Sequence, residues 1–525
     1  MGEYTDEIVF LGAMFVAILA TWAVIHVARK MRIVDLPGVR KVHASAVPRI
    51  GGTAIAFAML VVTVPALWWS GRPGSLGIQF QESRDQVTAL LAGAAFMLII
   101  GLIDDVRGLN ARVKLFGQLA AALAVCSSGL RIDHLAIGNY PPVELGWISW
   151  PLTLLWIVGV TNALNLIDGL DGLAAGISAI TCGAMAAFAW YMNQPVTSVI
   201  MLALLGSLMG FLFLNFNPAR VFMGDSGSLF IGFILSTVSV QCANLGMVGP
   251  DNRPWPTVVG LALPMLCMGV PILDTLLSIL RRMMQRRGIF SPDRGHIHHR
   301  LLAMGLRQHQ VALMVYVVTL FAAGVGMSMI FLRGHAWMTA GIFAFVTMAL
   351  VLVFRAAGAV RLKETVLAWR RNAVIARDIR KSRRDFDHVE LLLCEAMTFD
   401  QWWTSLCQAA QQLEFVRISL SLTNRDGTGR TLLWQRPGAD VPVHEKITVA
   451  VPVRHRRPGD PLKAEVDVYL HGSIESAGRR MALFGRLIDD HSIANLPPPP
   501  LPKPQGQGNP PAAKEDSATA GSGKA

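Results

Sequence analysis

The chain has 525 residues, of which 53% are hydrophobic and only 16% are charged. Soluble domains carry about a quarter charged residues, so this composition excludes an ordinary soluble protein and indicates one embedded in a membrane. The net charge of +12 fits basic loops that face anionic lipid head groups, and it requires no nucleic-acid partner.

Apolar segments long enough to cross a bilayer recur along the first two thirds of the chain. A helix needs roughly 20 apolar residues to cross the hydrocarbon core, and we count eleven such segments. They cover residues 8–28, 52–70, 87–103, 113–129, 151–166, 173–192, 197–214, 229–246, 256–280, 311–332 and 336–356. Because these segments are continuous rather than alternating, we expect helices and not a β-barrel. The sequence therefore predicts an all-α polytopic membrane domain over residues 1–360.

Basic residues are distributed unevenly between the loops. The loops after odd-numbered segments, counting Lys114, hold seventeen arginines and lysines, whereas the loops after even-numbered segments hold five. By the positive-inside rule, the odd-numbered loops face the cytoplasm. This predicts an N-terminus outside and a C-terminus in the cytoplasm. Acidic residues precede the first segment and basic ones follow it, which is the opposite order to a cleavable signal peptide.

The chain after about residue 361 reads as a cytoplasmic extension. The sequence predicts a basic connecting helix over residues 361–384, which either continues from the last segment, lies on the membrane or is simply solvated. Residues 385–492 predict a small α+β domain, with a helix near 385–413, strands at 415–422, 446–453 and 464–472, and a helix at 475–490. This order resembles the GAF and PAS sensor domains and suggests an unknown ligand or protein partner. Residues 493–525 are rich in Pro, Gly and Ala and are predicted to be disordered.

Polar residues gather at the predicted cytoplasmic ends of the segments, where ionisable groups are expensive and usually functional. The loop "DLPGVRKVHASAVPRIGG" is basic and fits a positive-inside anchor. Asp104 and Asp105 end the third segment, and Lys114 and Gln118 share one face of the next helix. Adjacent carboxylates repel each other unless a cation or a proton lies between them. They therefore suit Mg²⁺ or a general base, with a merely solvated pair as the alternative.

Two further clusters carry carboxylates and small residues. In "NALNLIDGLDGLAAG", Asn162, Asn165, Asp168 and Asp171 recur every third residue, so neighbours occupy adjacent positions of one helix face. In "NFNPARVFMGDSGSLFIG", a turn of small residues around Asp225 opens an apolar run. Such a turn offers backbone donors to phosphate, and an aspartate offers a hard oxygen ligand to Mg²⁺.

Histidines and arginines share the most basic loop. The stretch "PDRGHIHHRLL" contains His296, His298 and His299, and the surrounding arginines include Arg281, Arg282, Arg286 and Arg300. Histidines can bind a transition metal, but no cysteine or carboxylate set completes a zinc site here. Arginines suit diphosphate recognition, so an anion pocket is the favoured interpretation.

Together these loops provide carboxylates, amides and a basic lid at one membrane face. This inventory suits phosphoryl transfer, in which positioning, Mg²⁺ and cations carry most of the catalysis. One substrate would be cytosolic and anionic, such as a nucleotide sugar. The other would be a lipid whose phosphate reaches the cytoplasmic face.

The motifs "GLIDD", "NALNLIDGLDGLAAG", "VFMGDSGSLFIG" and "HIHHRL" resemble those of the polyprenyl-phosphate N-acetylhexosamine-1-phosphate transferases of glycosyltransferase family 4. These enzymes move a sugar 1-phosphate from a UDP-sugar to undecaprenyl phosphate and release UMP. The resemblance runs from about Asp35 to Leu302. It implies a bacterial inner (cytoplasmic) membrane protein with its active site on the cytoplasmic face, and it is consistent with a homodimer.

The resemblance also implies roles for individual residues. Asp104 and Asp105 would act as the base or the partner of the acceptor phosphate, and Lys114 would hold the lipid phosphate. Asn165 and Asp168 would help to order the metal and diphosphate, and Asp171 would lie near the nucleobase. Asp225 would be the principal ligand of Mg²⁺, with Mn²⁺ as the alternative metal. The donor would contact a basic set formed by Arg282, His296, His298, His299 and Arg300.

The histidine motif points to one branch of the family. "HIHHRL" is similar to the branch that transfers GlcNAc-1-phosphate for O-antigen, teichoic acid and related glycans, so UDP-GlcNAc is the expected UDP-N-acetylhexosamine. Three alternatives remain open: a phospho-MurNAc-pentapeptide transferase of the same family, a multi-pass anion transporter with a sensor domain, and an inactive homologue that serves as a scaffold.

Overall fold

A computed structural model describes residues 5–35, 46–69, 75–135, 143–245, 257–284, 295–329, 336–356, 390–423, 429–438, 442, 445–455, 462–470 and 474–497. The chain divides into two compact units, Met1–Ala368 and Trp369–Ala525. The predicted connecting helix at 361–384 and most of the predicted tail at 493–525 lie outside the described residues.

Helices dominate the described part of the first unit. In chain order they are α1 (Thr5–Lys30), α2 (Gly52–Trp69), α3 (Ser75–Glu82), α4 (Arg84–Arg107), α5 (Ala111–Ser127), α6 (Ser149–Ile167), α7 (Leu173–Tyr191), α8 (Pro195–Asn215), α9 (Gly224–Leu245), α10 (Thr257–Cys267), α11 (Gly269–Met284), α12 (Ile297–Ala303), α13 (Gln308–Ser328) and α14 (Ala336–Ala356). Two short antiparallel pairs interrupt them, β1 (Val34–Asp35) with β2 (Val47–Pro48) and β3 (His134–Leu135) with β4 (Val143–Glu144).

Every one of the eleven predicted segments lies on one of these helices or on the pair formed by α10 and α11. Within the described residues, eight helices are long and apolar enough to cross a membrane, and the bent pair makes nine if it counts as one span. The apolar helix α2 is shorter, and α5 has 17 residues. The chain is therefore a multi-pass helical membrane protein. The count of eleven crossings and their orientation stay predictions.

The ninth predicted segment is broken rather than straight. Helices α10 and α11 meet at a bend of 72°. Pro271 explains the position of the break, because proline has no N–H to donate to the carbonyl four residues earlier and its ring collides with that carbonyl. Helix α11, the second half of the pair, carries buried polar residues, namely Asp274, Thr275, Ser278 and Arg282.

Helix α9 lies at the centre of the first unit, and 94% of its membrane window is buried. It packs against α2, α4, α6, α7 and α10. Small residues allow the closest crossings, as is usual for helices packed in membranes. A Cβ on Gly52 would collide with the backbone of Gly227, and one on Gly101 would collide with the backbone of Asp225 and Ser226. Nearby, Gly51 and Gly52 donate backbone hydrogen bonds of 2.9 and 2.8 Å to the carbonyls of Phe222 and Met223.

Replacement of Gly52 by alanine is expected to destabilise the first unit, because backbone atoms of α9 cannot move aside as a flexible side chain can. Overpacking of this kind costs about 1–3 kcal/mol or more. Gly159→Ala in α6 is the matched control, since a Cβ there meets nothing within 4 Å. Thermal unfolding of the purified full-length variants in detergent should show a lower midpoint for Gly52→Ala only. Equal midpoints would contradict the close α2–α9 crossing.

The second unit is an α+β domain. Helix α15 (Phe399–Gln412) precedes strands β5 (Phe415–Thr423), β6 (Gly429–Gln435), β7 (Lys446–Val453) and β8 (Leu462–Tyr469), and helix α16 (Ile474–Asp490) follows. The strands form one antiparallel sheet in the order β6-β5-β8-β7. Both helices contribute to its core, where Phe415 and Phe484 meet edge to face with centroids 5.0 Å apart.

Two details of this domain differ from the prediction. The helix expected near 385–413 is interrupted within its described part, because Thr398 caps the start of α15 in a reciprocal arrangement with Gln401. Strand β6 was missed because it lies at a sheet edge with mostly exposed side chains and shows little apolar alternation. The three predicted strands and the closing helix are present nearly as bounded. The likeness to GAF or PAS domains stays a prediction.

Candidate active site

Three charged side chains from three helices meet at the centre of the site. The Nζ atom of Lys114 lies 3.1 Å from Oδ2 of Asp104 and 2.7 Å from Oδ2 of Asp225. Asp104 is in the last turn of α4, Lys114 is in the first turn of α5, and Asp225 is in the first turn of α9. The backbone N–H of Leu109 donates to Asp104 Oδ1 over 2.5 Å, which ties the α4–α5 connection to the carboxylate. One ammonium group thus bridges two carboxylates that lie far apart in the sequence.

Asp105 has a different environment from its neighbour, with a side chain that is fully buried. Its two oxygens accept hydrogen bonds from the backbone N–H groups of Asp225 and Ser226, at 2.9 and 3.0 Å. The first N–H groups of a helix lack partners within the helix, so this carboxylate caps α9 from outside it. Arg49 also approaches Asp105 Oδ1, at 3.8 Å. Asp105 therefore fixes the start of α9 and with it the position of Asp225.

The amides of the third sequence cluster join α6 to its neighbours. Asn162 and Gln118 of α5 exchange hydrogen bonds of 2.6 and 3.3 Å through their side-chain amides. Asn165 Nδ2 donates to Ser228 Oγ of α9 over 2.8 Å. Because Asn165 uses its amino group here, its Oδ1 is the end suited to a ligand.

The expectation that all four polar residues of this cluster share one helix face is wrong. Helix α6 ends at Ile167, so Asp168 and Asp171 lie in the following loop. Gly172, the residue immediately before α7, has φ +73°, a conformation that glycine adopts without strain, and so it lets the loop turn into α7. The result is a loop that places two carboxylates between α6 and α7.

Asp168 lies in a strongly acidic environment. Burial, together with the carboxylates of Asp225, Asp105 and Asp171, raises its pKa to about 8. Such a shift means that negative charge at this point is poorly compensated. Asp171 is held differently, because its Oδ2 accepts hydrogen bonds from Asn217 Nδ2 and from the backbone N–H of Ala219, at 2.8 and 3.1 Å.

The histidine loop is anchored to α11 on one side and to the α6–α7 loop on the other. His296 Nδ1 lies 2.9 Å from Oδ2 of Asp274. The ring of His298 covers Gly169, where an added Cβ would lie 2.7 Å from Nε2. Burial lowers the pKa of His298 to about 4, with His299 adding to the effect, so this ring is neutral at pH 7. His298 therefore links the histidine loop to the immediate neighbourhood of Asp168.

The remaining predicted donor contacts lie around the same loop. His299 is exposed, with its ring centroid 4.4 Å from that of His298. Arg300 Nε donates to the carbonyl of Gly295 over 3.2 Å, and Arg282 is a buried residue of α11. Other basic residues of the sequence clusters, namely Arg40, Lys41, His43, Arg286, Arg287 and Arg294, lie outside the described residues.

Sequence reasoning missed several residues that shape the site. Asp274 is a lone acid in the apolar run "PILDTLLSIL", and an isolated acid in a membrane segment is a sequence signal of a functional residue. Asn215 accepts from the N–H of Gly172 over 3.1 Å, and Tyr316 Oη donates to the Gly172 carbonyl over 2.5 Å. These two contacts join positions more than 40 residues apart, and a single sequence carries no mark of them.

The side-chain oxygens of the site are suitable ligands for a hard divalent cation, although they do not form a complete coordination shell. In the part of the chain that the structure describes, no three histidine, cysteine or acidic side chains form a ready metal-binding group. The oxygens of Asp104, Asp225 and Asn165 are nonetheless the hard ligands that Mg²⁺ prefers. Burial, and after it the nearby carboxylates, raises the pKa of Asp168, and a cation bound close by would favour its ionised form.

The fold and the site define a class of protein: a multi-pass membrane protein with a lysine–carboxylate centre at the ends of its helices. Residues 87–243 match the model of glycosyl transferase family 4. A probable undecaprenyl-phosphate N-acetylglucosaminyl 1-phosphate transferase of Bacillus subtilis is 38% identical over 312 residues, which are 59% of this chain and 81% of that protein. The chain belongs to glycosyl transferase family 4.

Two other relatives extend the comparison. A decaprenyl-phosphate N-acetylglucosaminephosphotransferase of Mycobacterium tuberculosis is 36% identical over 343 residues, covering 62% of this chain and 82% of that protein. A phospho-N-acetylmuramoyl-pentapeptide-transferase of Halalkalibacterium halodurans is 30% identical over 311 residues, covering 56% and 85%. The relatives of this chain therefore include proteins named for transfer of N-acetylglucosamine phosphate and one named for transfer of phospho-N-acetylmuramoyl-pentapeptide.

Proposed function

We propose that this protein transfers GlcNAc-1-phosphate from UDP-GlcNAc to undecaprenyl phosphate and releases UMP, the step that starts lipid-linked synthesis of a cell-envelope glycan. The observation that carries the proposal is the position of Lys114 between Asp104 and Asp225. A lysine ammonium among carboxylates at a helix end can hold a phosphate and set it against an attacking or leaving oxygen. The names of relatives that match most of their own length support the same reaction.

The chemistry is a transfer at phosphorus. An oxygen of the lipid phosphate attacks the β-phosphorus of UDP-GlcNAc, and the bond from that phosphorus to the bridging oxygen breaks. The electron pair leaves with UMP, and the product is a polyprenyl diphosphate sugar. Lys114 holds the lipid phosphate, and Asp104 accepts any proton that this phosphate still carries. Trapping of sugar phosphate on Asp104 would indicate two displacements instead of one.

We further propose that Mg²⁺, or Mn²⁺ in its place, is bound by Asp225 and Asn165. The bound ion would supply charge neutralisation at the diphosphate. Asp168 interacts electrostatically with Asp225 and helps to position the diphosphate of the donor. Asp105 keeps Asp225 in place through the first turn of α9. Asp171 and the histidine loop, with Arg282 and Arg300, surround the nucleotide portion of the donor.

The same proposal puts the site on the cytoplasmic face of the bacterial inner membrane, and the basic loops that follow α4, α6 and α8 support this orientation. The helical unit would then have eleven crossings. The second unit would be cytoplasmic and available to a ligand or protein partner. A homodimer through the membrane helices belongs to the same proposal.

A donor panel tests the proposed sugar. Purified full-length protein is supplied with undecaprenyl phosphate, Mg²⁺ and either UDP-GlcNAc, UDP-GalNAc or UDP-MurNAc-pentapeptide, and lipid-linked product is measured. We expect transfer from UDP-GlcNAc that stops when EDTA removes the metal. Transfer from UDP-MurNAc-pentapeptide instead would assign the other donor. Uptake of a UDP-sugar into sealed vesicles without lipid-linked product would favour the transporter.

A further inference from the structure

A buried acid on the broken helix pair has no role in the reaction as proposed above. Asp274 lies in α11, three residues after Pro271, and only 3% of its surface is exposed. A carboxylate buried to this degree is costly unless hydrogen bonds compensate for its lost hydration. We therefore expect both carboxylate oxygens of Asp274 to accept hydrogen bonds.

Both oxygens of Asp274 are used by the histidine loop. Oδ1 accepts the backbone N–H of Ile297 over 2.9 Å, and Oδ2 lies 2.9 Å from His296 Nδ1. His296 is the residue immediately before α12, and it is itself 6% exposed. The next polar group near Nδ1 is Ser278 Oγ, at the longer distance of 3.4 Å. Asp274 is thus the principal partner of this ring nitrogen.

A carboxylate can only accept a hydrogen bond, so it selects one form of the ring. Nδ1 must carry the proton, and Nε2 is then the nitrogen that remains for a substrate. The ring is also fixed in direction. It stacks on His298 with an interplanar angle of 11°, and His298 covers Gly169 beside Asp168.

We infer that Asp274 is a positioning residue for the transfer reaction: it holds His296 with Nδ1 protonated, so that Nε2 is free of a proton and accepts a hydrogen bond from a hydroxyl group of the UDP-sugar. The inference rests on the proposed function and adds a specific tautomer and a residue outside the matched motifs. Asp274 lies on α11, the second helix of the bent pair, and so it connects a membrane segment to the base of the histidine loop.

The substitution Asp274→Asn separates positioning from folding. The asparagine Oδ1 still accepts the N–H of Ile297, but Nδ2 can only donate to His296 Nδ1, which moves the ring proton to Nε2. We expect kcat/KM for UDP-GlcNAc to fall by about 10- to 100-fold, the usual effect of losing such a supporting partner. The KM for undecaprenyl phosphate and the thermal unfolding midpoint should stay unchanged.

A double-mutant cycle with His296→Gln tests whether Asp274 acts through this ring. We expect the double variant to be no slower than His296→Gln alone, because no imidazole is left to orient. Asp85→Asn, an exposed acid at the far end of α4, controls for the chemical change. Effects that multiply, or an Asp274→Asn enzyme with wild-type kinetics, would overturn the assignment of Asp274 alone. Absence of transfer by the wild-type protein would overturn the proposed function and this assignment with it.

Discussion

Replacement of Asp225 by asparagine should lower the rate of sugar-phosphate transfer by at least about 100- to 1000-fold, the range seen when one electrostatic group is removed from an active site. Asp225 provides one of the two carboxylates that flank Lys114, at 2.7 Å from Nζ. Asparagine keeps the shape of the side chain but removes its charge, so it can neither pair with the ammonium nor serve as a strong ligand for Mg²⁺. Turnover at saturating UDP-GlcNAc and undecaprenyl phosphate measures the loss.

The control for this change is the same substitution at Asp85, which is exposed in the first turn of α4 while Asp104 lies in the last turn. Its turnover should match the wild type. The backbone N–H of residue 225 donates a hydrogen bond to Asp105, and asparagine keeps this N–H. Helix α9 should therefore keep its cap in the variant. An Asp225→Asn enzyme within threefold of the wild type would remove this carboxylate from the reaction.

The second large effect is expected at Lys114. Replacement by methionine removes the ammonium and leaves Asp104 and Asp225 facing each other without a cation. We expect transfer to fall by at least about 100-fold, and the residual activity should need more undecaprenyl phosphate, since Lys114 is assigned to the lipid phosphate. Steady-state kinetics with each substrate varied in turn will show whether the acceptor KM rises while the donor KM stays constant.

Arg112→Met is the matched control for Lys114. Arg112 is a basic residue in the same first turn of α5, but its side chain is exposed. Its loss tests whether positive charge near the membrane surface is sufficient by itself. If both variants lose activity to the same extent, the contact between Lys114 and the two carboxylates is not the cause.

Membrane class and helix positions follow from sequence because each depends on local composition. A run of apolar residues in lipid favours a helix, and ten of the eleven predicted segments each lie on one helix in the structure, while the ninth lies on the bent pair α10 and α11. The break between α10 and α11 was the exception, although Pro271 marks the place. Hydropathy averages over the segment and does not register a single missing N–H.

The sequence predicts which residues form the site better than it predicts what each of them does. Asp104 and Asp105 are neighbours of the same residue type, and nothing local distinguishes them. Successive residues of a helix point about 100° apart, and so Asp104 meets Lys114 while Asp105 caps α9. This difference depends on where α9 begins, a long-range feature of the fold.

The contact of Asp274 with His296 shows the same limit. The two residues are 22 positions apart, and nothing in the local sequence of either one indicates the other as its partner. An acid within an apolar run signals a need for a partner, but only the packing of α11 against the histidine loop identifies it. Local chemistry therefore predicts which residues matter, and tertiary packing decides what each one does.

The most direct test of the account follows two labels through one reaction. UDP-GlcNAc labelled in the sugar with ¹⁴C and in the β-phosphate with ³²P is supplied with undecaprenyl phosphate and Mg²⁺ to the purified wild-type protein. We expect both labels to enter the lipid in equal amounts, with one UMP released for each sugar transferred, and both to enter at least about 100-fold more slowly with Asp225→Asn or Asp104→Asn. Sugar label without phosphate label, or transfer that survives both substitutions, would contradict sugar-phosphate transfer at the Lys114 centre.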